Sequence, residues 1–200
     1  MKRLIIAILL FTSIVALAQV PSAMIDKCVS AINAHGGVTA TFTITSPQGS
    51  DRGTISMRGN KFRIISKDAK CWYDGKTLWS WSSMTNEVNI TTPTAEELQM
   101  TNPMAAVSHL KTDFNMKRAK AQTPKTWVIR LTPKKKDNIK TLWLYFDETT
   151  SLLRTARFEM KDKSLYVLKI SDYKQYELPA STFTFDKSKV PAGTQVVDLR

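Results

Sequence analysis

The sequence predicts an α+β protein, mainly β, in which a curled antiparallel sheet or incomplete β-barrel of about eleven strands wraps over a few helices. Two observations predict this class. Short stretches of alternating apolar and polar residues follow one another with only tight turns between them, and tight turns join antiparallel strands. Apolar residues at helical spacing occur only near the start of the chain and in its middle. A sheet of this size is expected to curl, since curling protects its edges.

The first residues predict export. A positive start at Lys2 and Arg3 and an apolar stretch precede an A-x-A cleavage site that ends at Ala18. We therefore predict a signal peptide over residues 1–18 and a single domain over residues 19–200. A membrane anchor is the alternative, but polar residues end the apolar stretch short of the roughly 20 residues that a spanning helix needs.

The predicted domain opens with a helix and continues as a series of strands. Ser22 offers an N-cap, apolar residues from Met24 to Ile32 recur at three- and four-residue spacing, and Gly36 ends the helix. From residue 38 the apolar residues alternate with polar ones. The predicted strands of this part cover residues 38–45, 53–57, 61–66, 69–73, 76–82 and 87–91.

The middle of the chain interrupts the strands with two short helices. Thr94 and Glu97 form a capping box that opens the first, and Asn102 and Pro103 offer an N-cap and a first-turn proline for the second, residues 104–110. These apolar, Met-rich helices are expected to cover part of the sheet. Strands then resume at residues 125–132, 139–147, 152–160, 165–173 and 196–199.

The net charge of +12 raises the possibility of nucleic-acid binding, which export argues against. The basic residues are scattered, and their one run, residues 134–136, lies in a predicted turn. Positive charge in an exported protein favours anionic membrane surfaces or acidic partners equally well, and the charge alone does not choose between them.

No pattern predicts catalysis, a metal site or a cofactor. The two histidines, His35 and His109, belong to no recognisable metal-ligand motif. Gly75, Lys76 and Thr77 resemble the end of a phosphate-binding loop, but Lys70 stands where the leading glycine is required. We therefore predict a protein that works by binding rather than as an enzyme.

Cys28 and Cys71 are the only cysteines, and an oxidising compartment allows them one disulfide. The alternative is two buried thiols that behave as small apolar side chains. We predict the bridge, which would tie the first helix to the sheet.

Six segments in order resemble the periplasmic outer-membrane lipoprotein carrier family (LolA). The clearest is Y-D-G-K-T-L-W at residues 73–79, which is similar to the D-G-K-T-L-W signature of the family. The other five are A-T-F-T at 40–43, R-G-N-K-F-R at 58–63, N-P-M at 102–104, L-T-P-K at 131–134 and F-T-F at 183–185.

The resemblance implies an incomplete barrel with an apolar cavity that shields acyl chains of lipoproteins or other lipids in the periplasm. It implies an inner-membrane ABC-type releasing complex as donor, an outer-membrane acceptor and a monomeric carrier. A lipid- or lipoprotein-sensing regulatory module on the same fold is the alternative. In the family an arginine holds the lid closed by hydrogen bonds to lid backbone, and the matching residue here is Arg58, followed by Gly59.

Acyl-chain contacts are expected from the mid-chain helices and from one strand. Trp79 and Trp81 share a face, which lines the cavity if that face is the concave one; ordinary core packing is the alternative. The candidate lid residues are Leu98, Met100, Met104, Val107 and Leu110.

Overall fold

The computed structural model describes residues 20–200, except for seven side chains in the two mid-chain helices: Gln99, Met100, Thr101, Met104, Ala105, Ala106 and Ser108. The predicted signal peptide and its cleavage after Ala18 lie outside this part. Within it, no helix is both long and apolar enough to span a bilayer.

Helices occur in the three places that the sequence predicts. The N-terminal helix α1 covers Pro21–Asn33, and the mid-chain helices α2 and α3 cover Ala95–Thr101 and Pro103–Asp113. The capping box of Thr94 and Glu97 is confirmed. The predicted cap of α1 is wrong, because Pro21 starts the helix one residue before Ser22 and no side chain caps it. Proline suits that position since its missing N–H would have no helical partner.

Twelve strands form one open sheet, which confirms the curled, mainly β fold. They are β1 Val38–Ser46, β2 Gly49–Arg58, β3 Lys61–Ser66, β4 Ala69–Tyr73, β5 Leu78–Ser82, β6 Glu87–Thr91, β7 Phe114–Ala119, β8 Thr126–Pro133, β9 Ile139–Asp147, β10 Leu153–Met160, β11 Leu165–Gln175 and β12 Gln195–Asp198. Their order in the sheet is β12-β6-β5-β4-β3-β2-β1-β11-β10-β9-β8-β7.

Two antiparallel meanders meet at the centre of the sheet. Strands β1–β6 and β7–β11 each pair with their sequence neighbours, and the antiparallel pairing of β1 with β11 joins the two halves. The edge strand β12 returns to pair parallel with β6. Tight turns therefore specify most of the neighbours, whereas the central pairing joins segments that are distant in sequence.

Strand β7 is the one strand that the sequence analysis missed. It contributes only Phe114 and Met116 to the apolar core, and its third inward position carries Arg118, whose guanidinium lies 3.7 Å from the ring centroid of Trp127. The strand lies at an edge of the sheet, where inward-pointing charge discourages pairing with another chain. An apolar alternation this short carries little signal.

One face of the sheet, called here the inner face, packs on α1. The helix buries Met24, Ile25, Cys28 and Ile32 against it. Each apolar side chain buried in this way contributes about 1.5–3 kcal/mol. The sheet residues of this core include Val38, Phe62, Ile129, Leu131 and Leu142.

The opposite, outer face carries a second and smaller apolar cluster. Trp72, Trp81, Val88 and Val190 are buried there, and the ring of Phe185 packs edge-on against Trp72 at 5.5 Å between centroids. Residues 176–194, called here the C-terminal segment, supply Phe185 and Val190 to this cluster. The segment therefore covers the outer face of the first meander.

The predicted disulfide is wrong: Cys28 and Cys71 are both free thiols. The Cys28 sulfur receives a hydrogen bond from the backbone of Leu153 at the start of β10. Cys71 lies in β4, and β3, β2, β1 and β11 separate these two strands in the sheet. An even pair of cysteines in an exported chain allows a bridge, but only the distance between the thiols decides it.

We expect the two thiols to differ in reactivity. Burial raises the pKa of Cys28 to about 11 and also raises that of Cys71, which is less deeply covered. Because the thiolate is the reactive form, alkylation of the folded protein at pH 8 should be slow at both sites and slower at Cys28. Mass spectrometry after denaturation without reductant should show both cysteines labelled, and labelling of neither would reinstate the bridge.

Candidate functional site

The mid-chain helices lie over the inner-face core. Leu98 in α2 and Val107 and Leu110 in α3 are partly buried and pack against that core. These three predicted lid residues therefore adjoin the apolar interior. The side chains of the other two, Met100 and Met104, lie outside the described part of the chain. We call α2 and α3 together the lid.

A buried asparagine ties the lid to the sheet. Asn102, between α2 and α3, is 3% exposed, and its Nδ2 donates to the backbone carbonyl of Asn60 at 2.8 Å. Asn60 lies in the turn between β2 and β3, whose Gly59 N–H also donates to Asn33 at the end of α1. This tie could not be read from the sequence, in which Asn102 appeared only as a helix cap.

Polar contacts hold the end of α3 at the protein surface. The Lys111 ammonium pairs with Asp26 of α1, and the Lys134 ammonium donates to the Thr112 carbonyl at 2.6 Å. His109 Nδ1 lies 2.8 Å from Asp113 one helical turn away. Exposed pairs of this kind each contribute about 0–1 kcal/mol. Within the described residues, the lid is therefore attached by weak surface contacts, by the buried Asn102–Asn60 hydrogen bond and by its apolar face.

The interior beneath the lid carries no charge among the described residues. None of the buried residues there is an Asp, Glu, Lys or Arg. Tyr173 donates its hydroxyl to the Leu153 carbonyl at 2.6 Å, and burial raises the pKa of this phenol far above its ordinary value. Tyr173 and Cys28 are both neutral at physiological pH, so the interior suits apolar groups.

The tryptophans predicted for the cavity lie elsewhere. Trp79 and Trp81 pair across strands with Trp72 and Val88, and all four belong to the outer-face cluster. Their assignment as cavity residues is therefore wrong. The alternation along β5 shows that the two side chains share a face, but it does not show which face the lid covers. Leu78, on the opposite side of the same strand, packs against the inner core.

The predicted lid latch at Arg58 is also corrected. Its guanidinium Nη1 donates to the carbonyl of Leu178, in the C-terminal segment, rather than to described lid backbone. Leu178 is buried and its N–H donates to the Gly36 carbonyl. Arg58 therefore anchors the C-terminal segment at the end of β2, and the observed tie to the lid is made by Asn102.

No cluster of His, Cys, Asp or Glu within the described part of the chain could hold a metal ion. The acidic groups with lowered pKa values lie in surface turns and caps or, like Glu159 beside Lys140, accept a hydrogen bond from a neighbouring basic side chain. Asp147 is an example: N–H groups of the following turn and the Arg154 guanidinium lower its pKa to about 2. Such shifts reflect local turns and surface ion pairs rather than a reactive site.

The family follows from the sequence over most of its length. A sequence model described as outer membrane lipoprotein carrier protein LolA matches residues 12–163. The chain belongs to the LolA family. No curated protein sequence matches it significantly.

Solved structures resemble this chain at low sequence identity. An uncharacterised conserved protein from Thermus thermophilus superposes with a TM-score of 0.60 at 12% identity, over 88% of this chain and 97% of that one. A LolA superfamily protein from Nitrosomonas europaea has a TM-score of 0.43 at 13% identity, over 83% and 98% of the two chains. A putative outer membrane lipoprotein-sorting protein domain from Vibrio parahaemolyticus has a TM-score of 0.45 at 9% identity, over 82% and 96%.

Proposed function

We propose that this LolA-family protein is a periplasmic carrier that holds the acyl chains of lipoproteins or other lipids between its lid and its inner face. One observation carries the proposal: among the described residues, an apolar interior without charged groups lies beneath two short helices that the buried Asn102–Asn60 hydrogen bond ties to the sheet. Such a lid can move without unfolding the sheet, because the strands pair independently of it.

A carrier must shield the acyl chains of its cargo from water and must also be able to release them. Each CH₂ group removed from water contributes about 0.8 kcal/mol, so an exposed acyl chain is strongly unfavourable in an aqueous compartment. A carrier must replace that burial and still release its cargo. Leu98, Val107 and Leu110 offer apolar contact on a lid whose surface ties are individually weak.

The cargo would pass from an inner-membrane donor to an outer-membrane acceptor. An inner-membrane ABC-type complex would supply the acylated cargo, and an outer-membrane acceptor would receive it. The single domain over residues 19–200 would act as a monomer after signal-peptide cleavage. Catalysis has no part in this cycle, since binding and release suffice.

Site-specific photo-crosslinking tests the proposal. A photoreactive residue at Val107, on the lid against the inner core, should capture acylated lipoprotein or lipid in intact cells. The control is Thr43 in β1, on the face opposite the inner-face residue Phe42, which should capture none. Mass spectrometry of the adducts identifies the cargo. Export of a folded Val107 variant that captures no acylated molecule would reject the carrier function.

A further inference from the structure

A cavity on the outer face is independent of the lid and of the proposed carrier function. Its volume is about 370 Å³, and it lies between strands β2, β3 and β4 and the C-terminal segment. We call it the outer basic cavity. Its lining residues are Thr54, Arg63, Ile65, Lys70, Trp72 and Lys189.

Three of the lining residues carry cationic side chains, and the Lys189 ammonium already donates to the carbonyls of Ser181 and Thr184, each at 3.4 Å. Arg63, Lys70 and Lys189 are all half-buried, and none takes part in an ion pair within residues 20–200. Asp186 feels the charge of Lys189, but its carboxylate accepts the Ser188 N–H at 2.9 Å and caps a short helical turn. Three half-buried positive charges around one hollow repel one another unless an anion joins them.

Two buried donors on residues that line the cavity have no hydrogen-bond acceptor in the described structure. Arg63 Nε and Trp72 Nε1 are buried without a partner in the described structure, and Trp72 is 0% exposed. The other Arg63 contact, from Nη2 to the Ser56 hydroxyl, is long at 3.4 Å. A buried donor without a partner costs about 1–3 kcal/mol, and native proteins rarely leave one so.

Protein contacts set the position of the Lys70 ammonium without using all of its donors. Its Nζ donates to the Lys189 carbonyl at 2.8 Å and lies 4.9 Å from the ring centroid of Trp81. An ammonium has three donors, so others remain for a ligand. Thr54 is the only lining residue whose side chain can accept a hydrogen bond.

We propose that the outer basic cavity binds a phosphomonoester. A phosphate group carries about −1.5 to −2 charge near neutral pH and three acceptor oxygens, which match three neighbouring cations and the remaining donors of Arg63 and Lys70 better than a single carboxylate does. The volume exceeds that of a bare phosphate, and Ile65 and Trp72 provide an apolar wall for the group esterified to it. The phosphate belongs either to a soluble ester or to a lipid headgroup.

Indole NMR signals report directly on the cavity. The chain has five tryptophans, and a Trp72→Phe variant assigns the indole N–H signal of Trp72. Titration with inorganic phosphate or glycerol 3-phosphate should shift that signal. Trp127 is the internal control, because its Nε1 is also buried without a described partner but lies in the inner-face core. Its signal should stay in place.

Matched charge variants test the assignment of the cations. Arg63→Gln and Lys70→Gln should each lower the affinity measured by this titration about tenfold or more, as expected for loss of a charged hydrogen-bond donor. Lys169→Gln removes the same charge from an exposed position on β11, and the affinity for the phosphate ligand should stay unchanged. Because two cavity variants are compared, the test remains informative if one of them misfolds. Far-UV circular dichroism checks the fold of both.

The source of the phosphate is decided by comparison of soluble and vesicle ligands. A Trp72 shift with the soluble esters assigns a soluble ligand. A shift only with phosphatidylcholine vesicles that contain phosphatidic acid, and not with phosphatidylcholine alone, assigns a lipid headgroup. Absence of a shift with every ligand, or equal weakening by Lys169→Gln, would overturn the site.

Discussion

Replacement of Trp72 by alanine is expected to lower the free energy of unfolding by about 3–5 kcal/mol, a large part of the roughly 5–15 kcal/mol that a domain of this kind possesses. Trp72 is fully buried, and its removal takes away the ring against which Phe185 of the C-terminal segment packs. Urea denaturation should show the loss, and limited proteolysis should show earlier cleavage of the C-terminal segment.

The Trp72→Ala variant also tests whether the two faces of the sheet act independently. Because the outer cluster does not touch the inner-face core, Trp72→Ala protein that remains folded should still bind an acyl ligand. Trp143→Ala is the matched control, since Trp143 is only half-buried and lies on the outer side of β9 beneath Arg157. Equal destabilisation by the two variants, or loss of acyl binding in folded Trp72→Ala protein, would contradict the separation.

Replacement of Asn102 by alanine is expected to loosen the lid. The change removes the Asn102–Asn60 hydrogen bond from a buried position, which corresponds to about 1–3 kcal/mol. If local opening of the lid governs exchange, amide hydrogen exchange in α2 and α3 should accelerate roughly tenfold or more, while the strands keep their protection. Cargo exchange should accelerate with it.

Asn33 provides the control for this experiment. Its Oδ1 accepts the Gly59 N–H at 2.8 Å in the same β2–β3 turn, yet it belongs to α1 and not to the lid. Asn33→Ala should therefore leave exchange in α2 and α3 unchanged. An equal acceleration in both variants would mean that the turn itself, rather than the Asn102 contact, controls the lid.

The sequence alone determined the elements whose signals are local. Capping of α2 by Thr94 and Glu97 involves residues three apart, and hairpins such as β4–β5 follow from turn residues between alternating stretches. The motif at residues 73–79, together with the order of the other five segments along the chain, indicated the LolA family from sequence alone. The apolar residues Leu98, Val107 and Leu110, which the sequence proposed for the lid, pack against the inner-face core.

Tertiary structure alone decided everything that depends on which distant segments meet. The pairing of β1 with β11 and the return of β12 to β6 bring together segments separated by most of the chain. The C-terminal segment covers the outer face, so Trp79 and Trp81 pack there, and the Leu178 carbonyl of that segment takes the Arg58 guanidinium. Alternation along a strand shows which side chains share a face, and an oxidising compartment permits a disulfide. Which face is covered, which carbonyl an arginine reaches and how far apart two thiols lie depend on contacts between distant segments.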